Sequence, residues 1–353
     1  MSGQARDLLP EDDNLGEVEL EVELEVTEPF PGFNFSEFAV EIDRRGENVV
    51  HMFTQTGLDY DELSRDRRVC LFTQSSVDRL FWLMETTETW SGPVSVAVFT
   101  PDLEFEIGRL YVQFLARCFP RIAKQIAFHF VYPLLRPFNS SAEQQLTLEG
   151  ASCDQPKQAL ERLLRRRGQA MLEWREPYDY PFNLMRNVGR DGCRSEYTYI
   201  LDIDMIPVRG LDLHLETFVD RPEIEMCGDC AFVVPTYEIS YSAVRYPESK
   251  RDLLNLVATR RAQVFHFDVW RHNQGASELY KWEKLSPKPD VNVAYRVQYR
   301  FYFEPTYFAR GDLPEFNERF TGYGMTRNTQ VSLTSQVSKI VFPFFSTPFF
   351  QGL

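Results

Sequence analysis

The chain has 353 residues, 43% of them hydrophobic and 14% aromatic, enough for one large core or two modest ones, so a wholly disordered protein is excluded. Acidic residues number 52 against 38 basic ones, and the net charge of -14 excludes a broad electrostatic surface for nucleic acid. No run of 18 apolar residues and no signal-peptide core occurs, so we expect a soluble chain without a membrane anchor.

Residues 1–64 are expected to be a stem or flexible flank, because acids cluster at 11–28 and charged and aliphatic residues alternate near the terminus. Beyond this flank, strands and helices alternate. Strands are predicted at 69–74, 94–99, 126–132 and 197–201, and helices near 77–86 and 104–118. This alternation predicts an α/β fold with a parallel sheet, in which ligands bind beyond the carboxyl ends of the strands.

Two carboxylates, Asp202 and Asp204, directly follow the fourth predicted strand. Extended geometry places residues i and i+2 on the same side, so both can bind one divalent cation, Mn²⁺ or alternatively Mg²⁺. Such a cation neutralises a departing diphosphate and lets an acidic protein bind an anionic nucleotide sugar. An Asp-x-Asp triplet is expected about once by chance, and the second one, Asp59-Tyr-Asp61, is interpreted as a solvated turn.

A polar stripe precedes that strand, formed by Asn183, Arg186, Asn187 and Arg190 on one helical face. Amide and guanidinium groups aligned in this way can bind the phosphate and hydroxyl groups of a donor. The alternative is an ordinary exposed polar face. Proximity to the acidic pair favours donor binding.

Seven segments occur in the order found in one known family: 71–75 (LFTQS), 90–98 (WSGPVSVAV), 180–187 (YPFNLMRN), 201–207 (LDIDMIP), 232–238 (FVVPTYE), 303–305 (FEP) and 316–324 (FNERFTGYG). They resemble glycosyltransferase family 49, the group of β-1,4-glucuronyltransferase 1 and the LARGE-type xylosyl/glucuronyltransferases. The resemblance implies a GT-A domain over 65–340, with a Rossmann-like nucleotide-sugar-binding sheet, flanking helices and an irregular acceptor-binding C-terminal half. It also implies a UDP-sugar donor, Mn²⁺, inversion at the anomeric carbon and a Golgi-lumen location.

The resemblance also assigns roles to individual residues. The donor-binding residues that it implies are Thr73, Gln74, Asn183, Arg186 and Asp202, and the metal ligands are Asp202 and Asp204. An inverting transfer needs a carboxylate that takes the proton from the acceptor hydroxyl, and the candidates are Glu304 and Glu318.

Residues near the acceptor are less sharply defined by the sequence. His266 and His272 flank Trp270 in a region that the family uses near the acceptor, and both acceptor contact and loop packing are open to them. Trp282 and Tyr280 could stack on a sugar, although burial is the commoner fate of Trp. A lumenal disulfide between Cys118 and Cys153 is also expected.

Two departures from the family bear on activity. Asn317 stands where the family motif has an acid, and an amide cannot serve as a base. The last histidine is His272, so the family's late metal-binding histidine is missing. Residues 341–353 form an atypical hydrophobic tail, interpreted as a truncated or alternatively spliced end, with a segment packed on the core as the alternative.

The sequence therefore predicts a metal-dependent inverting glycosyltransferase that moves a sugar, with glucuronic acid as one candidate, from a UDP donor to a hydroxyl of a glycan or glycoprotein. Homo-oligomers and hetero-oligomers with other transferases are among the partners considered. The alternative is a catalytically silent family member that binds nucleotide or glycan and assists an active transferase. A phosphatase is disfavoured, because its nucleophilic pair should follow the first core strand rather than the fourth.

Overall fold

The structure is a computed structural model that describes residues 39–138, 146–227, 230–243, 245–288, 290–324, 326–337, 339–344 and 349–352. Its strands are β1 (Ala39–Ile42), β2 (Asn48–Thr56), β3 (Val69–Ser76), β4 (Val94–Phe99), β5 (Ile126–Pro133), β6 (Tyr197–Ile200), β7 (Met205–Ile206), β8 (Cys230–Val234), β9 (Thr236–Ile239), β10 (Ala262–Val264), β11 (Asn292–Arg296), β12 (Thr306–Arg310), β13 (Lys339–Phe344) and β14 (Phe349–Gly352).

The α-helices are α1 (Tyr60–Asp66), α2 (Leu83–Thr89), α3 (Glu104–Cys118), α4 (Pro120–Gln125), α5 (Pro156–Leu164), α6 (Gln169–Arg175), α7 (Phe182–Asp191), α8 (Leu211–Val219), α9 (Pro222–Glu225), α10 (Lys250–Ala258), α11 (Phe267–Trp270), α12 (Leu279–Lys284) and α13 (Thr326–Val337). Short 3₁₀ helices cover Val77–Trp82, Arg271–Asn273 and Gly275–Ser277. Within the described residues, no helix combines the length and apolarity needed to cross a bilayer.

The larger sheet has the strand order β1-β2-β5-β4-β3-β6-β12-β8-β13-β11 in the described part of the chain. Its central strands β5, β4, β3 and β6 are parallel, and antiparallel pairing begins at β2 on one side and at β12 on the other. Val96 and Val98 pack with α3 residues, whereas Ala97 and Phe99 pack with α7 residues. Helices therefore cover both faces, which explains the continuous apolar runs of these strands and confirms the predicted α/β class.

The predicted elements of the central layer agree closely with the structure. The strand at 94–99 and the helix at 104–118 have the predicted bounds, and β3, β5 and β6 differ from prediction by one or two residues. The helix predicted near 77–86 is a 3₁₀ helix that continues into α2. The carboxyl end of β6 lies beside Phe72 of β3, because Phe72 pairs with Ile200, and β3 continues past it to Ser76.

Residues 39–64 differ from the flexible flank expected there. β1 pairs with β2, β2 pairs with β5 of the central sheet, and α1 follows. The register of β2 shifts between His51 and Gln55, and Phe53 takes a positive φ of 54°. This irregularity removes the period-two alternation that identifies a strand in a sequence. Residues 1–38 of the expected flank lie outside the described residues.

The C-terminal segment contributes two strands. β13 lies between β8 and β11 in the large sheet, and β14 lies between β9 and β7 in a smaller sheet of order β10-β9-β14-β7. The described backbone within 341–353 is therefore paired with the rest of the domain, as the alternative interpretation of this tail requires.

The disulfide expected between Cys118 and Cys153 is confirmed, and it ties the end of α3 to the segment before α5. A second disulfide, Cys70–Cys193, joins β3 to the turn after α7. Cys227 and Cys230 form a third. Sequence separation carries no information on such pairs, so Cys70–Cys193 could not be identified from the sequence alone.

His129 on β5 is a fully buried core histidine. The Phe53 N–H donates to Nδ1 at 2.8 Å, and Nε2 lies 3.0 Å from Ser95 Oγ. Because Ser95 Oγ–H donates to the Gly189 carbonyl at 2.5 Å, the proton of the imidazole is on Nε2. A Cβ at Gly192 would lie 2.1 Å from Nε2, so only glycine fits beside this ring. His129 is thus hydrogen-bonded in its neutral form.

Acidification is expected to destabilise the protein through this histidine. Burial lowers the pKa of His129 from 6.5 to about 3, so below pH 6.5 the unfolded state binds the extra proton and the folded state does not. The contribution of neutral His129 to the free energy of unfolding is therefore fully present above pH 6.5 and decreases as the pH falls towards 3. At pH 5 the free energy of unfolding should be about 2 kcal/mol lower than at pH 7. Urea unfolding at pH 7 and pH 5 measures this loss, and His129→Gln, which cannot ionise, should lose about 2 kcal/mol less than the parent. An equal loss of unfolding free energy in the parent and in His129→Gln would contradict the assignment of this loss to His129.

Candidate active site

The site lies where β6 ends, beside the end of β3. After Ile200 the chain turns, and the Met205 N–H donates to the Asp202 carbonyl at 2.9 Å. The carboxylate of Asp202 is 2.6 Å from Arg327 Nη2, at the start of α13, and 3.9 Å from Arg186 Nη2 on α7. Both guanidinium groups are buried, whereas the Asp202 side chain is 28% exposed. Asp202 is therefore the partly accessible counter-charge of two buried arginines.

Asp202, Arg186 and Arg327 form a charged cluster, and each affects the ionisation of the others. Burial acts against ionisation of Asp202, but Arg327 and Arg186 outweigh it and lower the pKa of this carboxyl. Burial, followed by repulsion from Arg327, lowers the pKa of Arg186 to about 10. Burial also disfavours the charged form of Arg327, but Asp202 and Glu304 outweigh it and raise its pKa. At neutral pH the cluster therefore holds two positive charges beside one partly accessible carboxylate.

Asp204 has a different environment from Asp202. Its carboxylate lies 2.8 Å from Nη1 of Arg79, which follows β3 in the 3₁₀ helix Val77–Trp82 and is 54% exposed. The two acids thus lie in the same turn, but each pairs with arginines from different elements. A mobile surface side chain such as Arg79 can leave its partner at little cost.

A divalent cation fits this turn only if other ligands are supplied. Within the described ranges, no group of three or more His, Cys, Asp or Glu side chains is gathered closely enough to hold a metal. The oxygens of Asp202 and Asp204 are of the type that Mn²⁺ and Mg²⁺ prefer. The donor set is therefore chemically suited to a cation that a nucleotide diphosphate and water also coordinate.

The polar stripe of α7 is neither exposed nor wholly directed at a donor. Asn183 Nδ2 donates to the carbonyls of Asn317 and Thr326, and Arg190 donates to those of Leu313 and Pro314. The stripe therefore binds the backbone of the loop that precedes α13.

Arg186 and Asn187 extend this contact. Asn187 accepts from the Phe316 N–H and donates to its carbonyl. Arg186 donates to Thr326 Oγ1 at 2.8 Å and also reaches Asp202. Of the stripe residues, Arg186 therefore contacts the acidic pair, while the others hold the loop that leads into α13, where Arg327 lies.

Thr73 and Gln74 lie near the end of β3, as predicted. Gln74 Oε1 accepts from the Tyr180 hydroxyl at 2.5 Å. Thr73 is buried, and its Oγ1 has no partner among the described residues. A buried hydroxyl without a partner at a strand end is a donor or acceptor available to a ligand.

The two candidate bases lie in different surroundings. Glu304 lies close enough to both guanidinium groups to act on them: it offsets part of the lowering of the pKa of Arg186 and contributes to the raised pKa of Arg327. Glu318 instead accepts from Asn187 Nδ2 at 2.8 Å and lines a cavity of about 220 Å³ together with Asp43, Arg45, Glu47, Asn48, Tyr178, Asp179, Pro181, Leu184 and Thr321. The structure therefore brings Glu304, rather than Glu318, to the cluster around Asp202.

The residues predicted near an acceptor also differ in their burial and contacts. Trp282 is fully buried beneath the Lys250 ammonium group, so of the two alternatives it has the burial that is commoner for Trp and cannot stack on a sugar. Tyr280 is exposed. His266 is held by Asn273, whose Nδ2 lies 2.8 Å from its Nδ1, and it contributes to lowering the pKa of Asp202. Trp270 packs edge-on against His272.

Two arginines that pair with the acids, Arg79 and Arg327, were not identified as site residues from the sequence. Arg79 lies four residues beyond Ser75 in the first matched segment, and Arg327 lies three residues beyond Gly324 in the last. The signal that could have found them is charge balance, because a partly buried acidic pair requires nearby cations.

Comparisons with known proteins identify the family of this chain. The family model described as glycosyl-transferase for dystroglycan matches residues 68–337. The chain is 30% identical to human beta-1,4-glucuronyltransferase 1 over 265 residues, 74% of this chain and 62% of that protein. It is 26% identical to chicken xylosyl- and glucuronyltransferase LARGE2s over 287 residues, 81% of this chain and 32% of that protein. The chain thus spans less than two thirds of these relatives.

Among solved structures, the chain is similar to Staphylococcus aureus TarS 1–349 at a TM-score of 0.37 and 10% identity, over 81% of this chain and 60% of that one. The family model covers most of this chain. The chain belongs to the family of glycosyl-transferases for dystroglycan, as the resemblance to family 49 predicted.

Proposed function

We propose that this protein is a GT-A-type inverting glycosyltransferase that transfers a sugar, with glucuronic acid as the first candidate, from a UDP donor to a glycan hydroxyl. The observation that supports it is the cluster at the end of β6, where Asp202 and Asp204 meet Arg79, Arg186 and Arg327. Ligands of α/β sheets bind at such strand ends, and the relatives are named as glucuronyl- and xylosyltransferases.

In this proposal the arginines bind the negative charge of the donor. Arg186 and Arg327 are buried and rigid, so their forks are oriented before a diphosphate arrives. Asp202 and Asp204 would hold Mn²⁺, or alternatively Mg²⁺, and a bound cation supplies further neutralisation of the leaving diphosphate. Thr73 and Gln74 lie near the end of β3, where a uridine would contact them.

Glu304 serves as the base in this proposal. It takes the proton from the acceptor hydroxyl while the acceptor oxygen bonds to the anomeric carbon and the bond from that carbon to the UDP oxygen breaks. The attack comes from the side opposite the leaving UDP, so the anomeric configuration inverts. Glu304 lies near both buried arginines, and its carboxylate accepts from the Asn328 N–H at 3.4 Å.

The cellular location and the acceptor are proposed by analogy with the relatives. We propose a Golgi-lumen location and an acceptor carried on a glycoprotein. The Cys118–Cys153 and Cys70–Cys193 disulfides are compatible with an oxidising compartment.

Calorimetric titration of the purified protein with UDP, with and without Mn²⁺, tests donor binding. We expect binding that Mn²⁺ strengthens at least tenfold, because a cation held by Asp202 and Asp204 would neutralise part of the charge of the diphosphate. UDP release from UDP-glucuronic acid and UDP-xylose with oligosaccharide acceptors then tests transfer. Turnover with any of these donors would support the proposed transferase activity. Binding without turnover on any acceptor would instead support a silent family member, and absence of UDP binding would overturn both.

A further inference from the structure

The solvent-facing side of α5, together with the turn that follows it, concentrates positive charge in an acidic protein. Residues 155–168 contain five basic residues and one acid, Glu161, whereas the whole chain has 38 basic residues against 52 acids. The apolar side of this helix is buried. The exposed basic side chains form what we call the α5 basic surface: Lys157, Arg162, Arg165 and Arg166.

Neighbouring carboxylates do not neutralise this surface. Within the described ranges, none of its four side chains forms an ion pair, although exposed arginines elsewhere do, as Arg44 does with Glu315. The adjoining Arg167 instead pairs with buried Glu104 at 2.9 Å. The helix dipole favours cations near the C-terminus of α5 but disfavours one in its first turn, where Lys157 lies. Stabilisation of the helix therefore does not account for the whole surface.

The scaffold beneath the α5 basic surface is rigid. The Cys118–Cys153 disulfide ties the end of α3 to the segment that precedes α5, and α5 packs against α3. Arg162 donates to the carbonyls of Thr147 and Glu149 at 3.4 and 2.8 Å, which holds its guanidinium group in place. A surface whose shape is fixed before binding loses less conformational entropy when a ligand arrives.

We propose that the α5 basic surface binds a sulfated polysaccharide chain, at a docking site separate from the Asp202 cluster. Guanidinium groups bind oxyanions such as sulfate through paired, charge-assisted hydrogen bonds. Lys157 and Arg165 are about 12 Å apart along the helix axis, so one chain with repeated sulfate groups can contact the whole surface. The inference goes beyond the proposed transferase function and relies on it only for the oxidising compartment.

A polysaccharide fits this surface better than other polyanions do. Sites that lie on a membrane combine basic residues with large apolar side chains that enter the bilayer, and no large apolar side chain is exposed within 155–168. In an oxidising compartment, to which the disulfides correspond, sulfated polysaccharides rather than nucleic acids are the abundant polyanions. The net charge of -14 does not prevent binding, because at physiological salt charges act over about 8 Å.

Fluorescence anisotropy with a labelled heparin oligosaccharide measures this binding on the full chain, without UDP or metal. We expect binding at about 0.15 M NaCl that weakens about tenfold when Arg165→Gln and Arg166→Gln are combined, because two sulfate contacts are lost. The slope of log K against log salt should then fall by about two units. Arg165→Lys with Arg166→Lys keeps the charge and should retain most of the binding.

A matched control removes the same charge from another part of the surface. Arg251 and Arg260 are both exposed and lie outside α5. Arg251→Gln combined with Arg260→Gln should change heparin affinity less than about twofold, because these side chains lie outside the proposed contact and distant charges are screened by salt.

Absence of heparin binding, or an equal loss in the control and in the α5 variant, would overturn the proposal. Displacement of heparin by phosphatidylserine vesicles or by polyglutamate at equal charge would also overturn it, since the surface would then suit a membrane or an acidic protein. If the glutamine variant melts at a lower temperature than the parent, the lysine variant decides the case. Heparin binding by a protein that does not bind UDP would support the docking site and contradict the proposed donor, so the two can fail separately.

Discussion

Asp202→Asn is expected to lower the stability of the protein as well as UDP binding, whereas Asp204→Asn is expected to lower only UDP binding. Asp202 is the counter-charge of two buried guanidinium groups, Arg186 and Arg327. Removing one partner of a buried ion pair costs about 3 kcal/mol or more, because it leaves an uncompensated charge. The Asp204 side chain is 14% exposed but pairs with Arg79, which is 54% exposed and can be replaced by water, so this pair is expected to contribute about 1 kcal/mol.

Urea unfolding without metal, combined with UDP titration in Mn²⁺, separates these effects. Arg79→Ala is the matched control, because it removes the Asp204 ion pair but keeps the carboxylate. We expect this variant to unfold within about 1 kcal/mol of the parent and to bind Mn²⁺ no more weakly, since the cation no longer competes with a guanidinium. A stable Asp202→Asn protein would contradict the buried cluster, and undiminished UDP binding by Asp204→Asn would contradict the metal assignment.

The central layer could be predicted because its residues carry local signals. β4 and α3 have sequences whose apolar periodicity matches their buried faces, so their bounds follow from the pattern. The position of the acidic pair after β6 could also be predicted, because the strand before it is a short apolar run, while its role in metal binding stays a prediction. Both inferences need only the neighbouring residues along the chain.

Other features depend on contacts that the sequence does not encode locally. The stripe of α7 appeared suited to a donor, yet Asn183, Asn187 and Arg190 mainly bind the carbonyls of a loop more than 100 residues away. A polar helix face looks the same whether it binds a ligand, water or backbone. Only the position of the loop before α13 decides between these outcomes, and that position is set by tertiary packing.

The bulged strand β2 illustrates a different limit. Its residues pair with the central sheet, but the irregularity at Phe53 disrupts the alternation on which strand prediction depends. The acid-rich segment before it then favoured a flexible flank. Here a local departure from regular geometry concealed an element that is buried over most of its length.

Of the substitutions considered, replacement of the proposed base Glu304 is expected to have the largest effect on catalysis. Glu304→Gln should lower kcat by about 10²- to 10⁴-fold, the usual contribution of a general base, while UDP affinity stays close to that of the parent. Glu318→Gln is the matched control, because Glu318 is held by Asn187 on the wall of a separate cavity. Its amide can still accept from Asn187, so kcat should change less than about threefold, well below the contribution of a base.

Kinetics with a fixed donor and varied acceptor, at pH 5 to 9, give both quantities. If Glu304 is the base, the loss of kcat in Glu304→Gln should persist across this whole pH range, because the amide cannot take the proton of the acceptor hydroxyl at any pH. A large loss in Glu318→Gln with full activity in Glu304→Gln would assign the proton transfer to Glu318, and the loop bound by α7 would then have to bring that side chain to the acceptor.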